Sequence, residues 1–204
     1  MTDERYDTLI FDLDNTLYHS PQLVTYRTEL TENWIETNSD LTQEKAQSFY
    51  RNLSDEYPHP YDGFTAIGLS IDGYFKNVSD KLTPSDFVDR NESLIDIFAD
   101  ISADIIIVSL APHSYIQKMI DAIEISEHIS GAYNPYQDAN AHSKYSIYNR
   151  YTQNDVLVTG DSYANDIQPA SELGFDTVHL APQCSVSKNH SCINNINQIT
   201  EYIS

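Results

Sequence analysis

The run Leu9-Ile10-Phe11 and the two acids that end it, Asp12 and Asp14, constrain this chain more than any other feature. An unbroken apolar triplet reads as a short strand buried on both faces, as in a parallel sheet covered by helices. Carboxylates at alternate positions where such a strand runs out are costly to desolvate unless a cation or strong donors sit beside them. In open α/β sheets, ligands bind outside the carboxyl ends of the strands, which is where Asp12, Asp14 and the nearby Thr16 fall. The expectation is a metal-assisted chemical site whose other ligands come from elsewhere in the chain.

From Asn91 onward strands and helices alternate. Buried strands are expected at residues 104–109, 156–160 and 175–180, with a shorter one at 129–133. Helices are expected at 94–98, 112–125, 143–151 and 166–173, the last closed by Gly174, and a final one at about 193–203. Pro169 pushes the regular part of its helix to begin near Ile167. This alternation predicts an α/β fold with a Rossmann-like, doubly wound parallel sheet core.

The stretch after the first strand is different. Ser20-Pro21 is a helix start, and Leu23, Val24, Arg27, Leu30, Trp34 and Ile35 follow at three- and four-residue steps. Asn38-Ser39-Asp40 breaks that helix, a second runs from Leu41–Glu44 to about Tyr57, and residues 63–81 read as two shorter pieces interrupted at Gly68 or Gly73. The predicted organisation is a core domain of residues 1–19 and 82–204, with a small α-helical cap, residues 20–81, inserted after the first strand and placed above its carboxyl edge. A chain of 204 residues can bury one full core and carry such a subdomain.

Composition narrows the function classes. Thirty-one Asp and Glu against eleven Lys and Arg give a net charge of −20. That surface repels nucleic-acid backbone and anionic membrane, so neither is expected as a partner. Any anion site must therefore be built locally, from a metal, backbone amides and a lysine. The acidic, lysine-poor balance also fits a protein adapted to high salt, in which case added KCl raises the unfolding midpoint. No apolar run reaches the length of about 18 residues that a membrane span needs, and no secretory signal is visible at the N-terminus. Two cysteines do not make a disulfide scaffold and fit a reducing compartment, so a cytoplasmic location is the expectation.

Three predicted strand ends deliver polar groups to one edge: Asp12 and Asp14 from the first, Ser109 from the second, and Gly160-Asp161 with Asn165-Asp166 from the strand at 156–160. Carboxylates gathered from separate strand ends make a hard, oxygen-rich site suited to Mg²⁺ rather than Zn²⁺. Asp161 and Asp166 also fit a helix-capping pair, but that reading leaves Gly160 unexplained. Ser109 precedes a helix starting near Pro112, so its hydroxyl and the neighbouring amides can hold a phosphate at a helix N-terminus. Lys144 opens a helix before the Asp161 strand, where its ammonium can meet both a phosphate and Asp12. Lys118 is the competing lysine.

Asp12-Leu-Asp-Asn-Thr16, Ser109 after an Ile/Val run, Lys144, and Gly160-Asp-Ser-Tyr-Ala-Asn-Asp166 resemble the four motifs of the haloacid dehalogenase (HAD) superfamily, in the right order and across residues 7 to 180. Phe11-Asp-Leu-Asp-Asn-Thr-Leu-Tyr18 and Gly63-Phe-Thr-Ala-Ile-Gly-Leu69 resemble its pyrimidine 5′-nucleotidase branch. The resemblance implies that Asp12 is a nucleophile forming an aspartyl-phosphate and Asp14 the general acid and base. It implies Mg²⁺ held by Asp12, the Asp14 backbone carbonyl, Asp161 and Asp166. It assigns the phosphate to Ser109, the amides of Asn15, Leu110 and Ala111, and Lys144. Because the dehalogenase branch lacks the acid at position 14, a phosphatase is favoured. Leu110 stands where the branch usually carries Asn, and Tyr145 where Pro usually follows the lysine.

The expected activity is thus Mg²⁺-dependent hydrolysis of a small phosphorylated metabolite, a nucleoside monophosphate first, by a monomer or homodimer. A sugar-phosphate or phosphoglycolate phosphatase is the nearest alternative, and a phosphomutase shares the first half-reaction. From another class, a non-catalytic phosphate-binding module has only Leu110 and the lysine neighbourhood in its favour. Tyr18, His19 and Tyr61 are candidates to contact the leaving group. Cys184, Cys192, His179 and His190 match no usual zinc spacing.

Overall fold

The computed structural model describes residues 5–57, 59–182 and 191–203. The chain divides into two compact units, residues 20–87 and the remainder.

The larger unit is built on strand β1 (Thr8–Phe11), all four of whose residues are buried. After the insertion come helix α5 (Glu92–Ala99; α1 to α4 lie in the insertion and are given below), β2 (Asp104–Val108), α6 (His113–Ala122), β3 (Gly131–Tyr133), α7 (Pro135–Ala139), α8 (Tyr145–Tyr148) and β4 (Val156–Gly160). A π-helical turn (Tyr163–Ile167), α9 (Gln168–Glu172), β5 (Asp176–Leu180), β6 (Ser191–Ile193), a 3-10 turn and α10 (Thr200–Ile203) complete it. The six strands form one sheet in the order β3-β2-β1-β4-β5-β6, and every pair is parallel.

Alternation along the strands sends successive side chains to opposite faces. Ile10, Ile106, Val108, Val156 and Val158 pack with Ile147 and Tyr148 of α8 and Ala170 of α9. On the other face Phe11 meets Phe98 of α5, ring centroids 5.2 Å apart. Each large side chain buried in this way contributes about 1.5–3 kcal/mol. The covered faces explain why the strands read as continuous apolar runs.

Register fixes where the site lies. Phe11 pairs with Ile107 on one side and Thr159 on the other, and the Asp12 amide extends the ladder to the Thr159 carbonyl at 2.9 Å. Asp12 therefore leaves the sheet within one residue of the level of Ser109 and Asp161, at the same edge. The chain runs outward from β1 through β2 to β3, then resumes on the opposite side at β4, so β1 and β4 flank the switch point where such sheets bind ligands.

The smaller unit contains α1 (Pro21–Asn38), α2 (Gln43–Glu56), α3 (Pro60–Ala66) and α4 (Ile71–Asn77). Ser20 caps α1, its Oγ accepting from the Leu23 amide at 3.3 Å. The same hydroxyl donates to the Phe87 carbonyl at 2.9 Å, and Phe87 stacks on Tyr26. These contacts carry the unit six residues past the boundary expected at 81. The break between α3 and α4 falls at Gly68, whose φ of +79° suits glycine, while Gly73 lies inside α4. Gly63 lets α3 approach α2: a Cβ there would come within 2.2 Å of Leu53 Cδ1. Trp34, Phe64 and Tyr74 pack edge-on or tilted in its interior, with Tyr61 and Phe75 beside them.

Three expectations shift. The tail helix expected from about 193 starts at Ile196 as a 3-10 turn leading into α10, and it is preceded by strand β6, whose three residues at a sheet edge carry too little pattern to reveal period two. Before α9 the backbone makes a wider π turn, so regular α-helix begins at Gln168 and Pro169 sits in its first turn, where its missing N–H costs nothing. Cys192 is disulfide-bonded, which a reading of both thiols as reduced does not provide for. Cys184 and His190 lie outside the described residues. Among those residues no helix is long and apolar enough to cross a membrane.

Candidate active site

The loop leaving β1 is shaped by what it buries. Leu13 and Leu17 are fully inside, so the intervening acid and amide turn outward. The Thr16 and Leu17 amides return to the Leu13 carbonyl, and Asn15 adopts a left-handed φ of +59°, a conformation asparagine tolerates better than most residues. A backbone bridge between Asp14 and Tyr18 closes the turn.

Asp12 is buried at 6% exposure, and both its carboxylate oxygens are engaged. Oδ2 accepts from Thr16 Oγ1 at 2.9 Å, and Oδ1 from Lys144 Nζ at 2.5 Å. Burial pushes the Asp12 carboxyl up to about 7; Lys144 pulls against that shift, while Asp166 and Asp14 add to it. Lys144 is itself buried and also donates to Asp166 Oδ1 at 2.6 Å. Burial would lower its ammonium, but Asp12 and Asp166 outweigh that and hold it well above the ordinary lysine value. Lys118, by contrast, is exposed on α6.

Asp166 reaches this cluster because Gly160 has no side chain: a Cβ there would come within 2.3 Å of Asp166 Cγ. The Ser162 amide donates to Asp166 Oδ2 at 2.9 Å. Asp161 is half-buried, and burial first, then Asp166, raise its carboxyl. Its backbone carbonyl lies 2.9 Å from His179 Nε2.

Carboxylate oxygens of Asp12, Asp161 and Asp166 lie within 4.8 Å of one another. With all three acids ionised against one ammonium, the cluster carries a charge of −2 in a largely buried place, an arrangement that favours a hard, oxygen-seeking divalent cation. The donor set fits Mg²⁺. Asp14 is not among these three side chains; its Oδ1 accepts from Tyr18 Oη instead.

Ser109, at the end of β2, is 1% exposed. Its amide donates to the Tyr133 carbonyl at 3.0 Å, and its Oγ accepts from the Ala111 amide at 3.1 Å, which leaves its hydroxyl hydrogen to be donated. The turn through Leu110 and Ala111 is locked from below by Asn134, which is fully buried. Asn134 Nδ2 donates to the Leu110 and Ala111 carbonyls, both at 2.8 Å, while its Oδ1 caps α7 through the Gln137 amide.

The structure thus brings Asp12, Lys144, Asp161 and Asp166 into direct contact or near contact, and places Asp14 and Ser109 on the adjoining strand-end loops. Asn15 and His19 are exposed on the loop, and Tyr61 is buried among aromatic rings of the helical unit. Sequence reasoning missed Asn134, Tyr115 and the use of His179. Asn134-Pro135 carries a helix-start signal, but nothing in it indicates three carbonyl partners; the other two have no local signal.

No family model and no curated protein matches this sequence. Solved structures do. A HAD phosphatase from Thermococcus onnurineus aligns over 97% of this chain and 98% of its own, with a TM-score of 0.68 at 13% identity. A haloacid dehalogenase-like hydrolase from Streptococcus pneumoniae aligns over 98% and 99%, with a TM-score of 0.66 at 16% identity. A HAD hydrolase from Bacillus subtilis, bound to magnesium, gives 0.61 over 98% and 99% at 17% identity. At these identities the likeness fixes the fold.

Proposed function

We propose that this chain, whose fold is that of the HAD hydrolases, is a Mg²⁺-dependent phosphomonoesterase working through an aspartyl-phosphate on Asp12. The observation that carries the reading is Asp12 itself: a buried carboxylate at the end of the central strand, clamped by Thr16 and Lys144, with a second acid two residues on.

Asp12 attacks phosphorus as the bond to the leaving oxygen breaks, splitting a difficult hydrolysis into two easier displacements. Asp14 gives a proton to the departing oxygen, then takes one from the water that attacks the phosphoenzyme, a role worth about 10²–10⁴-fold in rate. Lys144 and the Ser109 hydroxyl stabilise negative charge on the phosphoryl oxygens, and Lys144 also holds Asp12 in line. Asn134 fixes the turn that presents Ser109 and the amides after it. Mg²⁺, when bound by Asp12, Asp161 and Asp166, supplies charge neutralisation between nucleophile and phosphate.

Small phosphorylated metabolites are the proposed substrates, nucleoside monophosphates first, on the strength of the resemblance at residues 11–18 and 63–69. The contacts among Asp12, Lys144 and Asp166 favour catalysis over a purely phosphate-binding role. Phosphate release from p-nitrophenyl phosphate is expected with Mg²⁺, and neither in its absence nor in Asp12→Asn. Activity surviving in Asp12→Asn would overturn the mechanism, and equal rates across nucleotides and sugar phosphates would remove the nucleotidase assignment.

A further inference from the structure

We propose that Tyr18 and Tyr115 form a hydrogen-bonded pair that positions Asp14 for proton transfer and ties it to the phosphate-binding turn. The inference rests on the phosphatase reading above and assigns two residues that reading leaves unused.

Tyr18 Oη donates to Asp14 Oδ1 at 2.5 Å and lies 2.8 Å from Tyr115 Oη. A phenol has one hydrogen, and Tyr18 commits its own to the carboxylate. With that hydrogen on the carboxylate, we assign Tyr115 as the donor between the two rings, which gives the chain Tyr115 to Tyr18 to Asp14. Hydrogen bonds in series polarise one another, so the second strengthens the hold of the first.

This arrangement decides which Asp14 oxygen does the chemistry. With Oδ1 accepting from Tyr18, the transferable proton of Asp14 sits on Oδ2. In the first half-reaction Oδ2 releases that proton to the leaving oxygen, and in the second Oδ2 takes a proton from the attacking water; Tyr18 keeps its own proton throughout. General acid catalysis needs donor and acceptor within about 2.6–3.2 Å, and misplacement by about 1 Å can cost on the order of 100-fold.

The pair also links two parts of the site. Tyr18 returns to Asp14 through the backbone bridge that closes the β1 loop. Tyr115, buried at 1% exposure, belongs to the first turn of α6, the helix that follows Ser109 and Ala111. The proton donor and the phosphate turn are thus referenced to one helix. Tyr18 and Tyr115 are positioning residues, since neither touches the reacting atoms.

The test compares Tyr18→Phe and Tyr115→Phe with the wild-type enzyme on p-nitrophenyl phosphate and on an alkyl phosphate. The ratio kcat/KM reports the step in which the leaving group departs, and p-nitrophenolate departs with little need of a proton. We expect Tyr18→Phe to lower kcat/KM for the alkyl ester by about 10–100-fold and for p-nitrophenyl phosphate by less than about threefold, with Tyr115→Phe in the same direction and smaller. Unfolding midpoint and affinity for vanadate should stay near wild type in both variants. An equal fall on both esters, or a weakened vanadate affinity, would indicate a merely structural role and overturn the proposal. So would no effect on either ester. A wild-type enzyme that hydrolyses neither ester would overturn the phosphatase reading itself, and this inference with it.

Discussion

Replacing Gly160 with alanine tests the centre of the site through a single methyl group. The glycine is required by space, because a Cβ built there falls 2.3 Å from Asp166 Cγ and 2.4 Å from Oδ2. Carbon atoms pack at about 3.5–4.0 Å, so the Asp166 carboxyl must retreat by more than about 1 Å. Such a shift lengthens the 2.6 Å bond from Lys144 and the 2.9 Å bond from the Ser162 amide beyond hydrogen-bonding range. Two effects on stability oppose each other. Alanine removes backbone freedom from the unfolded chain, a gain of about 0.4–1 kcal/mol, whereas overpacking a filled interior costs about 1–3 kcal/mol. Overpacking and the two lost hydrogen bonds to a buried carboxylate, each worth about 1.5–3 kcal/mol, outweigh that gain, and denaturant unfolding should show a net loss of at least about 2 kcal/mol. Metal sites tolerate about 0.2 Å of error in ligand distance. Mg²⁺ affinity, measured by calorimetry, should therefore fall by at least about 100-fold, since even residues that only support ligands cost 10–100-fold. A Gly160→Ala protein with wild-type stability and Mg²⁺ affinity would refute the packing argument and the assignment of Asp166 as a ligand.

Three further outcomes follow from the same geometry. Asn134→Ala strands the Leu110 and Ala111 carbonyls, costing about 1–3 kcal/mol for each in chemical denaturation and weakening inorganic phosphate binding; unchanged stability would show that water replaces the amide. Lys144→Met leaves Asp12 and Asp166 without their ammonium and should destabilise the Mg²⁺-free protein at neutral pH by about 3–5 kcal/mol, with added Mg²⁺ recovering part of the loss. Because burial holds the Asp12 carboxyl up at about 7, that group is protonated below this pH and must lose its proton before it can bind a cation. Mg²⁺ affinity should then weaken by up to about tenfold per pH unit as pH falls below 7, with proton release visible in buffers of different ionisation enthalpy; an affinity flat over that range would contradict the coupling.

Much of the α/β core was legible because its strands are buried on both faces and read as apolar runs, from Leu9–Phe11 to Val156–Val158. The acids at their ends were legible for the complementary reason, that charge at the end of a buried run demands a partner. What stayed hidden depends on contacts between residues distant in sequence. Asn134 holds Leu110 and Ala111 across more than twenty residues, and no local pattern announces it. Tyr18 stands in the sequence as a candidate for touching the leaving group, but only the fold shows Tyr115 beside it and the phenol turned onto Asp14. Strand β6 has no signature in the sequence because three residues are too few to display alternation. The helical unit ends at Phe87 rather than Lys81 because its boundary is set by a hydrogen bond to Ser20 and a ring stacked on Tyr26, not by composition.

The central claim is that Asp12 becomes phosphorylated during turnover. Acid-quenching the enzyme during hydrolysis of p-nitrophenyl phosphate, reducing it with borohydride and mapping the peptides by mass spectrometry tests this directly. An acyl phosphate is reduced to an alcohol, so the account predicts homoserine at position 12 and nowhere else, and none in Asp14→Asn quenched before substrate is added. Steady turnover with Asp12 unmodified, or with the label at Asp14, Asp161 or Asp166, would contradict it.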